Sequence, residues 1–152
     1  MSESQISFYQ LKCDTRKITE SYQRGHNHED TTMFLQEPYL SHGRPFGLRR
    51  QHFHHVHDGR TAIYTPNLVA SSFIKIPSLV RHDLVAGVLE WNNRKVVVAS
   101  LYMHESHANP IKPDLEDLIN HCKRYNLGLI CGADVNAWSD QWFSQRLKHR
   151  NC

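Results

Sequence analysis

Asp134 and Asn136 lie two residues apart in Gly132-Ala133-Asp134-Val135-Asn136-Ala137, directly after the apolar run from Leu127 to Cys131. Side chains on a strand repeat every second residue, so a carboxylate and an amide at this spacing project the same way from a strand end. Hydrolase sites are commonly built like this. The plainer alternative is a strand-terminal turn in which both side chains cap backbone groups. A second segment of the same design lies upstream, where Thr32-Met33-Phe34-Leu35-Gln36 runs into Glu37 before Pro38. Two strand ends that each offer an acid imply one shared metal site.

The elements that must position these residues are legible from pattern. Gln5 to Leu11 alternates loosely as a first strand, and Asp14 to Gln23 reads as a helix with Asp14 as N-cap and Ile18 and Tyr22 one turn apart. The strand ending at Glu37 is followed by Pro38 to Gly59, rich in Gly, Pro, Arg and His, which reads as a long loop. Thr61 to Thr65 and Phe73 to Ile76 are strands, each stopped by the proline that follows, Pro66 and Pro77. Leu84 to Trp91 and Lys95 to Met103 form a hairpin joined at Asn92-Asn93-Arg94. A helix begins after Pro113 with Leu115, Leu118, Ile119 and Cys122 as its apolar stripe, ends at Gly128, and leads into the strand carrying Asp134. Hairpins mixed with covering helices indicate an α+β layered fold.

Composition narrows the function classes. The chain has 152 residues, 39% of them hydrophobic, enough for one domain with a modest core. A net charge of +3 permits a polyanionic partner without demanding one. The start lacks the basic and apolar stretches of a secretory signal, and no run reaches the roughly 20 apolar residues of a membrane helix. An intracellular protein with no membrane partner is expected. The four cysteines form no Cys-x-x-Cys pair, which argues against a disulfide framework or a cysteine zinc site; Cys122 and Cys131 read as reduced core residues.

Histidine is unusually frequent, at 12, with His52, His54, His55 and His57 inside six residues. His54 with His57, or His52 with His54, could bind zinc, although a catalytic zinc site wants three ligands and a fixed second shell. The other reading is a solvated basic loop. With Arg44, Arg49, Arg50 and Arg60 nearby and Asp58 as the only opposing charge, it could track a DNA backbone in a salt-sensitive, sequence-independent way. Trp91, Trp138 and Trp142 read as core or rim packing.

Four short segments occur in an order that carries a resemblance: Leu35-Gln36-Glu37-Pro38-Tyr39, Arg60-Thr61-Ala62-Ile63-Tyr64, Ser100-Leu101-Tyr102, and Cys131 to Ala137 followed by Trp142. The chain from Gln10 to about Ser144 resembles the endonuclease/exonuclease/phosphatase superfamily, and most closely the apurinic-endonuclease-like domain of non-LTR retrotransposons. The resemblance implies a four-layer α/β sandwich, two packed mixed sheets flanked by helices, spanning 1–152 as a single domain. It also implies hydrolysis of a phosphodiester: a DNA-nicking endonuclease of retrotransposon origin, associated with a reverse-transcriptase region in a longer polypeptide and located in the nucleus.

By the same resemblance, Glu37 is the ligand of Mg2+, or of Mn2+ in its place. Asp134 orients or deprotonates the attacking water, and Asn136 holds the phosphate or that water. Tyr102 donates a hydrogen bond to the developing phosphorane oxygen, while Arg60 and Lys12 are substrate-binding. The chain also departs from the family pattern. Gln10-Leu11-Lys12 stands where that pattern has Gln-x-Asn, and a lysine there can contact phosphate but repels magnesium. The family's terminal Ser-Asp-His is not found, so the domain is expected to lack its final strands. Trp138-Ser139 replaces a frequent His-His, and Phe143 a frequent glycine. These departures support an alternative function, a catalytically inactive remnant of the fold that binds nucleic acid or a protein partner.

Overall fold

The computed structural model describes residues 5–12, 31–38, 40–42, 44–45, 48–67, 69–103 and 113–135. The expected helix from Asp14 to Gln23, the residue Asn136, and Trp138, Trp142 and Phe143 lie outside the described residues. In chain order the strands are β1 (Ser7–Lys12), β2 (Thr31–Gln36), β3 (Leu40–Ser41), β4 (Arg44–Pro45), β5 (Phe53–His54), β6 (Thr61–Tyr64), β7 (Phe73–Val80), β8 (Leu84–Trp91), β9 (Arg94–Met103) and β10 (Gly128–Val135). The helix α1 (Pro113–Tyr125) joins β9 to β10.

Among the described residues these strands form two four-stranded sheets, ordered β1-β2-β6-β5 and β10-β9-β8-β7, and a two-stranded ribbon of β3 and β4. Both larger sheets are mixed: β1 runs parallel to β2 and β10 parallel to β9, while the remaining pairs are antiparallel. The fold is α+β, two mixed sheets packed face to face. Alternation sorts the side chains of each strand. Phe34 and Ile63 of the first sheet meet Val85, Leu89 and Val98 of the second in the core between them. Met33, Leu35, Ala62 and Tyr64 point to the far side of the first sheet, where Phe53 and the partly buried Leu40 and Leu48 cover them. Val97, Ala99 and Leu101 face the far side of the second sheet and pack on Leu118 and Cys122 of α1.

Several elements differ from the sequence expectation, each for a local physical reason. β7 does not stop at Pro77 but continues to Val80, with a register shift between Lys75 and Val80. Since β7 ends the strand order of its sheet, a missing N–H there costs no ladder bond. The stretch from Pro38 to Gly59 is not one long loop, because it contains β3, β4 and β5, and β5 pairs with β6. The stop of α1 comes before Gly128. Asn126 takes the left-handed conformation at φ 51°, its N–H donates to Lys123 O, and the Leu127 N–H donates to Cys122 O at 2.9 Å, closing a Schellman cap. Of the helix stripe, Leu118 and Cys122 are buried, whereas Ile119 is exposed. Cys131 is likewise exposed rather than core, on the same outer face of β10 as the exposed Leu129. The hairpin agrees with expectation, and its turn has Asn92 and Asn93 at φ 49° and 61°, the two left-handed residues that suit strand twist.

At Gly132 the two sheets approach closely. A Cβ at this position would fall 2.5 Å from Cβ and Cγ of Phe34. Only a glycine lets β10 lie against that side chain, and Asp134 follows two residues later on the same face. Gly132→Ala is expected to destabilise the chain by about 1–3 kcal/mol through overpacking, read as a lowered urea midpoint with an unchanged slope.

Candidate active site

At one end of the paired sheets, Glu37, Arg60, Tyr102, Asp83 and Asp134 come together. Glu37 follows β2 directly and has φ 50°, the left-handed region that a non-glycine residue enters only under constraint. Its N–H donates to Arg60 O at 2.7 Å, which holds it there. Strict alternation would send Glu37 to the outer face with Leu35; the left-handed backbone turns it inward, where its carboxylate accepts a hydrogen bond from the Tyr102 hydroxyl.

Tyr102 and Asp134 are neighbours in the parallel β9–β10 register and share the inner face. Both are buried, at 7% exposure each. Burial pushes the Tyr102 phenol above its ordinary value, the Glu37 charge and hydrogen bond add to this, the Arg60 cation opposes it, and Asp134 contributes a smaller push upward. The hydroxyl therefore keeps its proton into alkaline solution and remains a donor. Gln10 Nε2 donates to Ala133 O at 2.8 Å, tying β1 to the backbone just before Asp134. Lys12 ends β1 in register with Gln36, one residue before Glu37.

Beneath these residues lies a polar contact between the sheets that pattern reading did not single out. Gln36 Nε2 donates to Ser100 Oγ at 2.9 Å, and Ser100 Oγ is 2.6 Å from Thr61 Oγ1. All three residues are at most 1% exposed. Each is bound in sequence to a site residue: Gln36 precedes Glu37, Thr61 follows Arg60, and Ser100 stands two before Tyr102. Polar residues at inward strand positions were the available signal. Asp83 was also missed, lying in a short connection with no pattern to mark it. Its carboxylate takes Nε and Nη2 of Arg60, each at 2.8 Å. Arg60 is thus not one of several free cations along a basic loop.

The histidine cluster is separate from this site, and it is not uniformly solvated. His54 sits in β5, with its ring 4.9 Å from that of Phe73, and Nε2 is 3.2 Å from Thr65 Oγ1. The Thr65 hydroxyl also lies within hydrogen-bond distance of His52 O, at 3.4 Å. Burial, then Lys75, His52 and His55, lower the His54 pKa to about 4. His55 packs edge-on against Phe53, and His57 is exposed beside Asp58. Among the described residues no three His, Cys, Asp or Glu side chains gather as metal ligands, so the zinc reading of this cluster has no ligand set there. Magnesium asks for less, one or two carboxylates with waters and substrate oxygen, and the oxygens of Glu37 and Asp134 suit it chemically.

The sequence matches no family model and no curated protein. Among solved structures it is similar to the endonuclease domain of TRAS1, a telomere-specific non-LTR retrotransposon, at 23% identity and a TM-score of 0.47. The likeness covers 73% of this chain and 49% of that one, so the chain spans about half the length of that structure. Among the described residues, no helix is long and apolar enough to cross a membrane.

Two outcomes follow from this geometry. Ser100→Ala removes the shared partner of Gln36 and Thr61 and is expected to cost about 1–3 kcal/mol, as buried polar groups lose their bonds; chemical denaturation measures it. His54 has a folded-state pKa below its unfolded value, so its contribution is complete above pH 6.5 and is lost as pH falls toward about 4. Denaturation midpoints taken between those pH values should fall in the native chain and fall less in His54→Gln.

Proposed function

We propose that the chain is a metal-dependent phosphodiester hydrolase that nicks DNA, of retrotransposon origin. The observation that carries this reading is the convergence of Glu37, Tyr102 and Asp134, from three separate strands, at one end of the two sheets, with Tyr102 sensing both carboxylates. The order of the motifs along the chain supports it independently. Glu37 would hold Mg2+, or Mn2+ in its place, with Asp134 close by. When bound, the ion neutralises charge that develops on the phosphate and on the leaving oxygen.

The remaining work falls to the chain's own groups. Asp134, buried at its strand end, orients the attacking water and draws its proton, and Asn136 holds that water or the phosphate. Water adds to phosphorus, the bond to the 3′ oxygen breaks, and that oxygen takes up a proton to become a hydroxyl. Tyr102 turns its one hydroxyl proton from Glu37 to a non-bridging oxygen as charge grows there; a ring fixed beforehand by burial and by its neighbours keeps the reorganisation small. Arg60 adds positive charge beside Tyr102, and Lys12 is assigned to the same phosphate backbone by its place in the motif order. DNA is the partner, a reverse-transcriptase region is expected in the same polypeptide, and the nucleus is where such a reaction would occur.

A second reading is favoured by one observation. Lys12 pairs with Gln36 beside Glu37, and a cation-bearing residue at that position works against a divalent ion. A non-catalytic remnant would then bind nucleic acid without cutting it. Relaxation of supercoiled plasmid separates the two. The hydrolase reading expects nicking that requires magnesium, and a loss of at least about a hundredfold in Glu37→Ala and Asp134→Ala. Full activity in either variant removes the role given to that residue, and binding without nicking at every magnesium concentration establishes the remnant.

A further inference from the structure

Arg60 and Asp83 belong to different sheets. Arg60 immediately precedes β6 in the first sheet, and Asp83 immediately precedes β8 in the second. Their side chains meet as a two-pronged pair, Nε to Oδ1 and Nη2 to Oδ2, both at 2.8 Å. Such a pair fixes the plane of the guanidinium as well as its position. That group lies over the ring of Tyr102, its central carbon 4.7 Å from the ring centroid. The backbone repeats the connection: the Tyr102 N–H donates to Asp83 O at 2.9 Å, and the Arg60 N–H donates to His82 O at 2.8 Å.

Tyr102 is thus gripped at three points: on its ring face by Arg60, at its backbone by Asp83, and at its hydroxyl by Glu37. The connection that carries Asp83 is itself anchored. Arg81 pairs with Asp114 and Asp117 of α1 and donates to Ser78 O. The Asp83 side chain is 14% exposed and that of Arg60 35%, so the carboxylate is the buried anchor and the guanidinium the part that reaches outward. An arginine meant first for phosphate would present its fork to solvent. Here two of the fork's donors are already taken.

We propose that Arg60 and Asp83 form a positioning pair that holds the Tyr102 ring in place, so that its hydroxyl need only rotate away from Glu37 to meet the substrate phosphate. What Tyr102 does for substrate rests on the hydrolase reading; that the pair controls the ring does not. Asp83 acts through Arg60 and touches no reacting atom.

The test follows the ring resonances of Tyr102 in the full chain, labelled with ring carbon-13 tyrosine and assigned with Tyr102→Phe, at neutral pH. A ring held under the guanidinium exchanges its two edges slowly. Arg60→Gln and Asp83→Asn should each speed that exchange by about tenfold, the equivalent of a small drop in barrier. The double variant should speed it no further than Arg60→Gln alone, since the two residues act as one unit, and Asp83→Glu should restore most of the native rate. An unchanged ring exchange in Arg60→Gln, or effects that add in the double variant, overturn the pair. If Arg60→Gln does not fold, Arg60→Lys replaces it in the same cycle, keeping the cation and losing the fork. Plasmid nicking supplies a second readout: kcat should fall about tenfold or more in Asp83→Asn, with KM within about twofold of native. A raised KM with native kcat would make the pair a phosphate clamp and overturn the positioning role. Failure of the hydrolase reading shows separately, as a native chain that does not nick, and the Tyr102 cycle still decides the pair.

Discussion

The side chain of Phe34 lies against the bare backbone of Gly132, and the rest of the site depends on that contact. It sets the distance between the sheets at the end where Glu37 and Asp134 emerge. Were β10 pushed away by the thickness of a methyl group, Asp134 would retreat from the carboxylate and phenol contributed by the other strands. Close packing makes this constraint stiff, because interiors near crystalline density transmit a displacement rather than absorb it.

Behind that apolar contact the polar bridge of Gln36, Ser100 and Thr61 sets the lateral register of one sheet on the other. Apolar surfaces slide at little cost, whereas a buried hydrogen bond has one good geometry and a penalty for losing it. The division of labour is visible along the strands. Toward the middle of the sandwich the inward positions are Phe34, Ile63 and Val98, and toward the site they become Gln36, Thr61 and Ser100. The next groups outward are charged. Polarity thus rises in steps from the dry centre to the mouth, and each step lies one or two residues in sequence from the residue it supports.

Among the described residues of the site, Glu37 is the one with a left-handed backbone. That backbone turns a residue whose alternation favours the outer face toward Tyr102. Arg60 then joins three functions in one residue: its carbonyl restrains Glu37, its N–H meets His82, and its guanidinium bridges to Asp83 across the sheets. Arg60, Asp83 and Tyr102 are consequently interlocked at the mouth.

Strand periodicity, the Asn92-Asn93 turn, the amphipathic stripe of α1 and the acids at two strand ends were all legible in the sequence, because each depends on neighbours within a few residues. The register of the site was not, since it rests on pairs remote along the chain: Gln36 with Ser100, Arg60 with Asp83, Gln10 with Ala133. Local pattern also misjudged Pro77, Cys131 and His54, because whether a position is edge, exposed or buried is decided by which strand lies beside it. The sequence by itself determined which residue types stand at the strand ends, as a consequence of alternation. Only the tertiary structure decided that they face one another, because that depends on how closely two sheets pack and on one backbone turn at Glu37.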